Sequence, residues 1–511
     1  MMKTLLFLFT FSVQCLMLNA QTPSIEKVRK FRQSNEHEWL SEFMQFLAIP
    51  NLAADSYNIQ RNASAIMDMM RKRNIQDVKL LLPDTKDAPP AVYGEIKVPG
   101  AVKTIIFYAH YDGQPTDPSK WAKGFQPFTP VLVKGTNPDI EKVISLPAKG
   151  NFIDEEWRIF ARSASDDKGG VMSILWAYES IIKSGQLPNC NIKFFFEGEE
   201  EQGSGHLQEI LQKYPKELQS DIWVISDGPV HQSGKKLICF GVRGDANMDI
   251  TVYGPTRPLH SGHYGNWVPN PAMMLVKLLA SMKDEKGEVT IKGFYDDVVA
   301  LSSAEKEAIA RMPQADEQMK KELGFIMPEM EGVSLQESLM LPSLNINGIQ
   351  SANAGKLAAN VIPATAHATL DLRLVKGNDY QVQQQRVVDH IKAQGYFVTD
   401  KEPTVDERKK YPKIARVIKH DGYNAQRTSM ELPIAKEIVE AVRTTTKEPV
   451  VIVPSLGGSL PLYKFEKYLK ANTISVPIAN HDNNQHAENE NIRIRNLWDG
   501  IETMASIMLM K

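Results

Sequence analysis

Three short apolar runs, each followed at once by histidine, aspartate or glutamate, constrain the fold of this chain more than any other feature. The runs are residues 103–109, 191–196 and 221–226. Their length and their β-branched and aromatic content are typical of strands buried on both faces of a parallel sheet. Between the first two runs, apolar residues recur at helical spacing from Val171 to Ile182. The alternation of strand and helix predicts an α/β sandwich.

The pattern of predicted strands and helices changes near residue 243, which predicts a second domain. The chain has 511 residues, which is too long for one ordinary core. The second region contains predicted strands and helices at residues 247–253, 271–282, 364–375, 380–394 and 396–400. Their β-α-β-β-α-β-like order is typical of a separate α+β, ferredoxin-like domain. A predicted helix at 433–442 and apolar runs at 450–453 and 473–476 then resemble the first domain again. We therefore expect a catalytic domain built from 21–242 and 421–511, with residues 243–420 inserted into it.

The N-terminus and the charge balance exclude several classes of protein. Residues 1–20 join a lysine to an apolar run that ends on Ala20, a pattern that predicts a signal peptide and a mature chain beginning near Gln21. A lipid anchor on Cys15 is disfavoured because no small residue precedes it. The net charge of −2 and the absence of a basic run argue against a nucleic-acid partner. We expect an exported protein, periplasmic or secreted, with no membrane association after signal removal.

Metal-ligand chemistry follows each of the three early strands. His110 and Asp112 follow the first, and their spacing would let the histidine bind a metal while the aspartate orients its imidazole. The acidic run 197–201 follows the second strand, and Asp227 follows the third. Because ligands gather at the carboxyl ends of strands in α/β sheets, we expect these side chains to meet. Taken alone, the acidic run would equally suit a solvated loop.

Two further candidates lie elsewhere in the chain. Asp166 stands in the stretch SDDKGG, just before the helix that begins near Val171, so capping of that helix is its alternative role. His486 stands near the C-terminus in NNQHAEN, where a lone histidine would more often be structural than a ligand. The conjunction of these residues with the strand-end candidates predicts a metal-dependent enzyme.

The stretches that carry this chemistry resemble a known family. They are, in chain order, HYDGQP, SDDKGG, FEGEEEQGS, ISDG, GVRG, PLHSG, NVIP, LDLRLV, GGSLP and NNQHAEN. Their order and content are similar to those of the co-catalytic zinc hydrolases that include carnosinases, cytosolic non-specific dipeptidases, carboxypeptidase G and aminoacylase. The dipeptidase and carnosinase branch is the most similar. The resemblance implies a three-layer aminopeptidase-like catalytic domain with an inserted lid and dimerisation domain.

The resemblance also implies a set of metal ligands. Asp166 would bridge two divalent ions, with His110 and Asp227 completing one site and Glu201 and His486 the other. Each ion then receives three protein ligands and keeps an open position for chemistry. Histidine and carboxylate ligands favour zinc, with manganese or cobalt as alternatives.

The family pattern assigns the remaining roles. Glu200 matches the general base and Asp112 the residue that orients the histidine ligand. His260 matches a histidine that reaches the active site of the partner subunit in a homodimer, although the stretch 259–262 would also suit an ordinary turn. Three more residues match a clamp for the substrate carboxylate: Asn360, Arg373 and Ser459. Arg373 alternates with Asp371 along a predicted strand, so a surface ion pair is its alternative role.

The sequence departs from the family pattern at three places. Residues 161–165 replace a usually glycine-rich stretch, residues 134–150 form an additional excursion, and residues 454–456 lack a basic residue found in dipeptidases. The prediction is an exported di-metal dipeptidase acting on small peptides. Hydrolysis of N-acyl amino acids and carboxypeptidase activity on the same core remain alternatives. A non-catalytic binding relative is disfavoured, because a binding module has no need of Glu200 beside metal ligands.

Overall fold

The computed structural model describes residues 2–313, 316–458 and 460–511, with side chains described from residue 24 onward. The helices are α1 Met2–Leu47, α2 Ser56–Lys72, α3 Lys168–Lys183, α4 Leu207–Lys213, α5 Ser261–Tyr264, α6 Pro271–Ala280, α7 Ser303–Ala310, α8 Asp316–Leu323, α9 Leu335–Ser338, α10 Tyr380–Ala393, α11 Val405–Lys410, α12 Pro433–Arg443, α13 Tyr463–Leu469 and α14 Ile494–Met508. Within the described part of the chain, none of them has the length and apolar character needed to cross a membrane.

The strands follow the same chain order. They are β1 Gln76–Leu81, β2 Ala91–Ile96, β3 Thr104–His110, β4 Val131–Val133, β5 Val143–Ile144, β6 Arg158–Phe160, β7 Asn191–Glu197, β8 Ile222–Ile225, β9 Leu237–Cys239, β10 Gly241–Val242, β11 Gly244–Tyr253, β12 Leu259–His260, β13 Ser343–Gln350, β14 Val361–Ile362, β15 Thr365–Leu374, β16 Phe397–Thr399, β17 Ile414–Tyr423, β18 Gln426–Arg427, β19 Val451–Val453, β20 Thr473–Ser475 and β21 Asn491–Arg493. The three early strands expected from sequence are β3, β7 and β8.

The chain forms two compact units. The first contains residues 1–240, 428–453 and 464–511, and the second contains residues 241–427 and 454–463. The C-terminal boundary of the insertion therefore lies at 427 rather than 420, because β17 runs through Tyr423 and would be cut at the earlier position. The segment 454–463, which carries GGSLP, belongs with the second unit rather than with the catalytic domain to which sequence analysis assigned it.

An eight-stranded sheet organises the first unit, in the order β1-β2-β7-β3-β8-β20-β9-β19. At its centre β3 pairs in parallel with both β7 and β8, as expected. Adjacent residues of β7 point to opposite faces: the ring of Phe194 packs on Tyr178 of α3, and that of Phe195 packs on Trp223. Trp223 in turn contacts Phe465 of α13. Helices thus cover both faces of the sheet, which confirms the three-layer prediction and explains why these strands are apolar throughout.

At the start of α3, the backbone at Gly170 lies very close to the side chain of Asp167. Asp167 caps the helix, accepting a hydrogen bond of 3.1 Å from the Gly170 amide. A Cβ atom at Gly170 would lie 2.1 Å from the Asp167 carboxylate, so only glycine fits there. The peptide bond between Asp166 and Asp167 is cis.

The excursion at 134–150 joins a small sheet of the first unit. Strands β4 and β5 pair antiparallel across it, and the sheet continues through β6 to β21 near the C-terminus. This sheet was not expected from the sequence, because its strands are only two or three residues long and carry no measurable periodicity.

The second unit contains the expected α+β sheet, in the order β13-β15-β11-β17-β16. Counting β11, β13, β15 and β17 as first to fourth, the spatial order is 4-1-3-2, which is ferredoxin-like. Strand β15 alternates between buried and less buried positions, as a sheet with one covered face should. Helices α7, α8 and α9 lie between β12 and β13 and were missed in the sequence.

Candidate metal centre

His110 is the last residue of β3, and its imidazole is fully buried at the carboxyl end of the sheet. Its Nε2 atom lies 2.9 Å from Oδ1 of Asp166 and 3.8 Å from Oδ2 of Asp227. Asp227 reaches this position because it follows β8, the parallel neighbour of β3. The strand-end argument therefore places these two side chains together as expected.

Asp166 presents its two carboxylate oxygens to two different histidines. Oδ1 faces His110, whereas Oδ2 lies 3.1 Å from Nε2 of His486. The same His486 nitrogen lies 3.2 Å from Oε2 of Glu201, which belongs to the 3-10 turn Glu200–Gln202 after β7. A carboxylate with one oxygen turned toward each of two ligand sets has the arrangement that a metal-bridging ligand requires.

The electrostatics of this cluster call for positive charge. Burial, with repulsion from Asp166, raises the pKa of the Asp227 carboxyl to about 7. Burial also raises the pKa of Glu200 well above its ordinary value. Hydrogen bonds to Asp166 and Glu201 raise the pKa of His486 to about 10. Carboxylates packed this closely are tolerated when cations share their site.

The donor set fits divalent metal ions. Ligand atoms of His110, Asp166 and Glu201 lie within 4.8 Å of one another, and so do those of His110, Glu200 and Asp227. Imidazole nitrogen and carboxylate oxygen are ligands that zinc and similar ions accept. The residues present therefore suit the divalent metal that the sequence predicted.

Asp112 connects the histidine ligand to the acidic turn. It is fully buried, and its two oxygens accept hydrogen bonds of 3.0 Å from the backbone amides of Glu200 and Glu201. Its Oδ1 atom also lies 3.3 Å from Nδ1 of His110. The backbone carbonyl oxygen of Asp112 lies 3.2 Å from the same nitrogen, so Asp112 orients the imidazole through both groups. Its carboxylate also holds the turn that carries the expected base and an expected ligand. The Glu200 carboxylate lies at the edge of the cluster, 4.0 Å from Nε2 of His110.

Several neighbours of the cluster were not predicted. Gln114 donates to Oε2 of Glu201 at 2.8 Å, and Gln485 donates to Oδ2 of Asp166 at 2.7 Å. Buried Asp167 accepts from the His110 amide and from the Ser226 hydroxyl. Both glutamines adjoin predicted site residues in the motifs HYDGQP and NNQHAEN, which was the available signal. An amide side chain gives no charge pattern by which to recognise it.

His260, Asn360 and Arg373 belong to the second unit. His260 is exposed, caps α5 with its Nδ1 atom 3.1 Å from the Gly262 amide, and pairs with Val361 across β12 and β14. Asn360 is also exposed, and its backbone carbonyl accepts a hydrogen bond of 3.0 Å from the Ser261 amide.

Arg373 lies on β15 with its Nε atom 3.1 Å from Oδ1 of Asp371, which is the ion pair that the sequence left as an alternative. Ser459 lies outside the described residues.

Histidines and carboxylates gathered at the carboxyl end of an α/β sheet are typical of a metal-dependent enzyme. The chain belongs to the peptidase family M20/M25/M40, whose profile matches residues 106–510. It is thus a metallopeptidase, and the resemblance inferred from the motifs is confirmed.

Known members of the family are similar over almost the whole chain. The Cys-Gly metallodipeptidase dug1 of Schizosaccharomyces pombe is 26% identical over 498 residues, covering 94% of this chain and 96% of the relative. The human Beta-Ala-His dipeptidase is 25% identical, covering 96% and 87%. Among solved structures, the metallo-carboxypeptidase Sso-CP2 of Sulfolobus solfataricus superposes with a TM-score of 0.71 at 28% identity, covering 93% of this chain and 99% of the other.

Proposed function

We propose that this protein is a dipeptidase that hydrolyses the single peptide bond of small peptides at a two-metal centre. The observation that carries the proposal is the divided orientation of Asp166, with one oxygen toward His110 and the other toward His486. The dipeptidases of the same family that resemble the chain over most of its length support the substrate class. Two divalent ions, with zinc favoured by the ligand types, would be held by His110, Asp166, Glu201, Asp227 and His486.

When bound, the ions would supply Lewis acidity and lower the pKa of a water toward about 7. Glu200 would take the proton of that water as its oxygen attacks the scissile carbonyl carbon. It would then deliver the proton to the amine that leaves as the C–N bond breaks. Its raised pKa, caused first by burial, suits a group that must hold a proton between these two steps. Asp112 would keep both Glu200 and His110 in place.

The substrate carboxylate would be held in the second unit. Arg373 offers a planar guanidinium suited to bidentate recognition of a carboxylate, and Asp371 beside it would fix its orientation. Asn360 and Ser459 would complete this clamp. His260 would act as a donor to the developing oxyanion of the partner subunit in a homodimer. The exposure of His260 in the single chain supports this assignment, because a residue that serves a partner must reach the surface.

The decisive experiment replaces the base. Glu200→Gln keeps the size of the side chain and removes its ability to take a proton, so kcat on dipeptides should fall by about 10²–10⁴ with metal content unchanged. Glu199→Gln is the matched control: it removes a carboxylate from the neighbouring position, where Glu199 pairs with His206 rather than with the cluster. Normal turnover by a fully metallated Glu200→Gln protein would reject the mechanism.

Carboxypeptidase action is the second candidate, supported by the similar structure of a metallo-carboxypeptidase. The two activities differ in whether the substrate needs a free amine close to the scissile bond. Dipeptides and their N-acetylated forms should therefore be compared on the zinc-loaded protein. A preference for the free dipeptide supports the first proposal, and a preference for the acetylated form supports carboxypeptidase or N-acyl amino acid hydrolysis.

We also propose that the protein is exported, to the periplasm or the exterior. The pattern at residues 1–20 supports this. Fractionation of cells that express the full chain, with a variant lacking residues 2–20 as control, tests it. Equal distribution of the two proteins among the fractions would contradict export.

A further inference from the structure

Glu490 is a fully buried carboxylate that none of the roles above uses. It lies just before β21, at the base of the segment whose tip carries Gln485 and His486. Its own carbonyl accepts a hydrogen bond of 3.1 Å from the Ala161 amide, so the backbone of this segment is tied to the loop before Asp166.

The side chain of Glu490 accepts hydrogen bonds along the loop that leads to Asp166. Oε1 accepts from the Ser165 amide at 3.0 Å, from the Ser165 hydroxyl at 2.8 Å and from the Asp166 amide at 3.0 Å. Oε2 accepts from the Ser163 amide at 2.9 Å and from the Arg162 guanidinium at 2.8 Å. Five donors converge on one carboxylate, and each bond to a charged acceptor is stronger than a neutral one.

These contacts connect the two halves of the cluster. The loop 162–166 carries the aspartate whose oxygens face both histidines, and the segment 483–490 carries His486 and Gln485, which both contact Oδ2 of that aspartate. Glu490 therefore joins the two halves of the cluster without contacting the side chain of any proposed metal ligand.

We infer that Glu490 is a positioning residue that holds Asp166 in register with His486 and thereby tunes metal binding. The inference rests on the ligand set proposed above. It also accounts for the departure noted in sequence: with a carboxylate pinning its amides, the stretch 161–165 keeps its shape without the usual glycines. Outer partners of metal ligands of this kind typically contribute 10–100-fold to metal affinity.

The test measures zinc affinity of the metal-free protein by competition with a chromophoric chelator. Glu490→Gln keeps the size of the side chain but replaces one acceptor oxygen by a donor group, so zinc affinity should fall 10–100-fold. Activity should recover at least in part in excess zinc, since Glu200 is untouched. Ser165→Ala removes a single contact and should shift affinity in the same direction by less. This milder variant keeps the inference testable if Glu490→Gln does not fold.

Asp482→Asn is the matched control. Asp482 immediately precedes the segment 483–490 and pairs with another buried arginine, Arg158, at 2.6 Å, so its loss should lower stability and leave zinc affinity unchanged. Asp166→Asn separates the two hypotheses, because it should lose zinc whatever Glu490 does. Unchanged zinc affinity in folded Glu490→Gln and Ser165→Ala, together with loss in Asp166→Asn, overturns the inference alone. Zinc retention by Asp166→Asn would instead overturn the proposed ligand set.

Discussion

Replacement of Asp112 by alanine tests how far one buried carboxylate organises the site. The change removes the acceptors of two backbone hydrogen bonds of 3.0 Å, from Glu200 and Glu201. It also removes the carboxylate oxygen 3.3 Å from His110 Nδ1, but keeps the backbone carbonyl of residue 112, which lies 3.2 Å from the same nitrogen. No other acceptor for those two amides lies among the described contacts of the turn Glu200–Gln202. The turn that carries the proposed base and a proposed ligand should therefore lose its anchor.

The magnitude follows from the contacts. A hydrogen bond to a charged group contributes about 1.5–3 kcal/mol, so two such bonds set an upper limit of about 3–6 kcal/mol on the stability lost by the metal-free protein. The turn can relax toward water, since the Glu200 side chain is 12% exposed, and a loss in the lower half of that range is expected. Zinc affinity should fall separately, by about 10–100-fold, because His110 loses the charged one of its two orienting groups and keeps only the backbone carbonyl of residue 112.

Two measurements separate these effects: urea unfolding of the metal-free protein and zinc competition with a chelator. Asp112→Asn should be intermediate, because one oxygen remains to accept. Asp117→Ala is the control, since Asp117 also accepts a backbone hydrogen bond, from Ser119, but is exposed. Asp112→Ala with wild-type zinc affinity would refute the orienting role, and wild-type stability would refute the anchoring role.

Three further predictions concern the dimer, the acid stability and the N-terminus. His260→Ala should cost about 2.7–4 kcal/mol of transition-state stabilisation with metals retained. Mixed with Glu200→Ala it should recover roughly a quarter of wild-type activity, because about half of randomly formed dimers are mixed and each has one whole site; no recovery after verified subunit exchange would reject the shared site. Although burial opposes it, the bond from Arg158 lowers the pKa of Asp482 to about 2 from 3.8, so its stabilisation is present above about pH 4 and lost as the pH falls toward 2. Asp482→Asn should thus cost about 1 kcal/mol at pH 6, discounted for partial exposure, and only a small fraction of that near pH 2 in urea titrations; an equal cost at both pH values would contradict this. The exported protein should begin near Gln21 by N-terminal sequencing, and an intact Met1 would contradict cleavage.

Much of the secondary structure followed from local pattern. The helix expected at 380–394 is α10, Tyr380–Ala393, and the strand expected at 364–375 is β15, Thr365–Leu374. Both present a buried face at their own period, which is a property of neighbouring residues. Helices α8 and α9 were not predicted from the sequence, because α8 has no buried residue and α9 is a single turn. Neither helix therefore carries an apolar stripe.

The chemical types at the site were also readable from the chain. His110, Asp227 and the acidic turn follow strands whose apolar content predicts a shared sheet, so their convergence needed only the rule that parallel strands end at one edge. The geometry within the site was not readable. Which oxygen of Asp166 faces which histidine, and the hydrogen bond from the Asp166 amide to Glu490 across 324 residues of sequence, depend on how two distant loops pack. Periodicity and composition describe residues that are neighbours along the chain, whereas contacts between distant loops are determined by the tertiary fold alone.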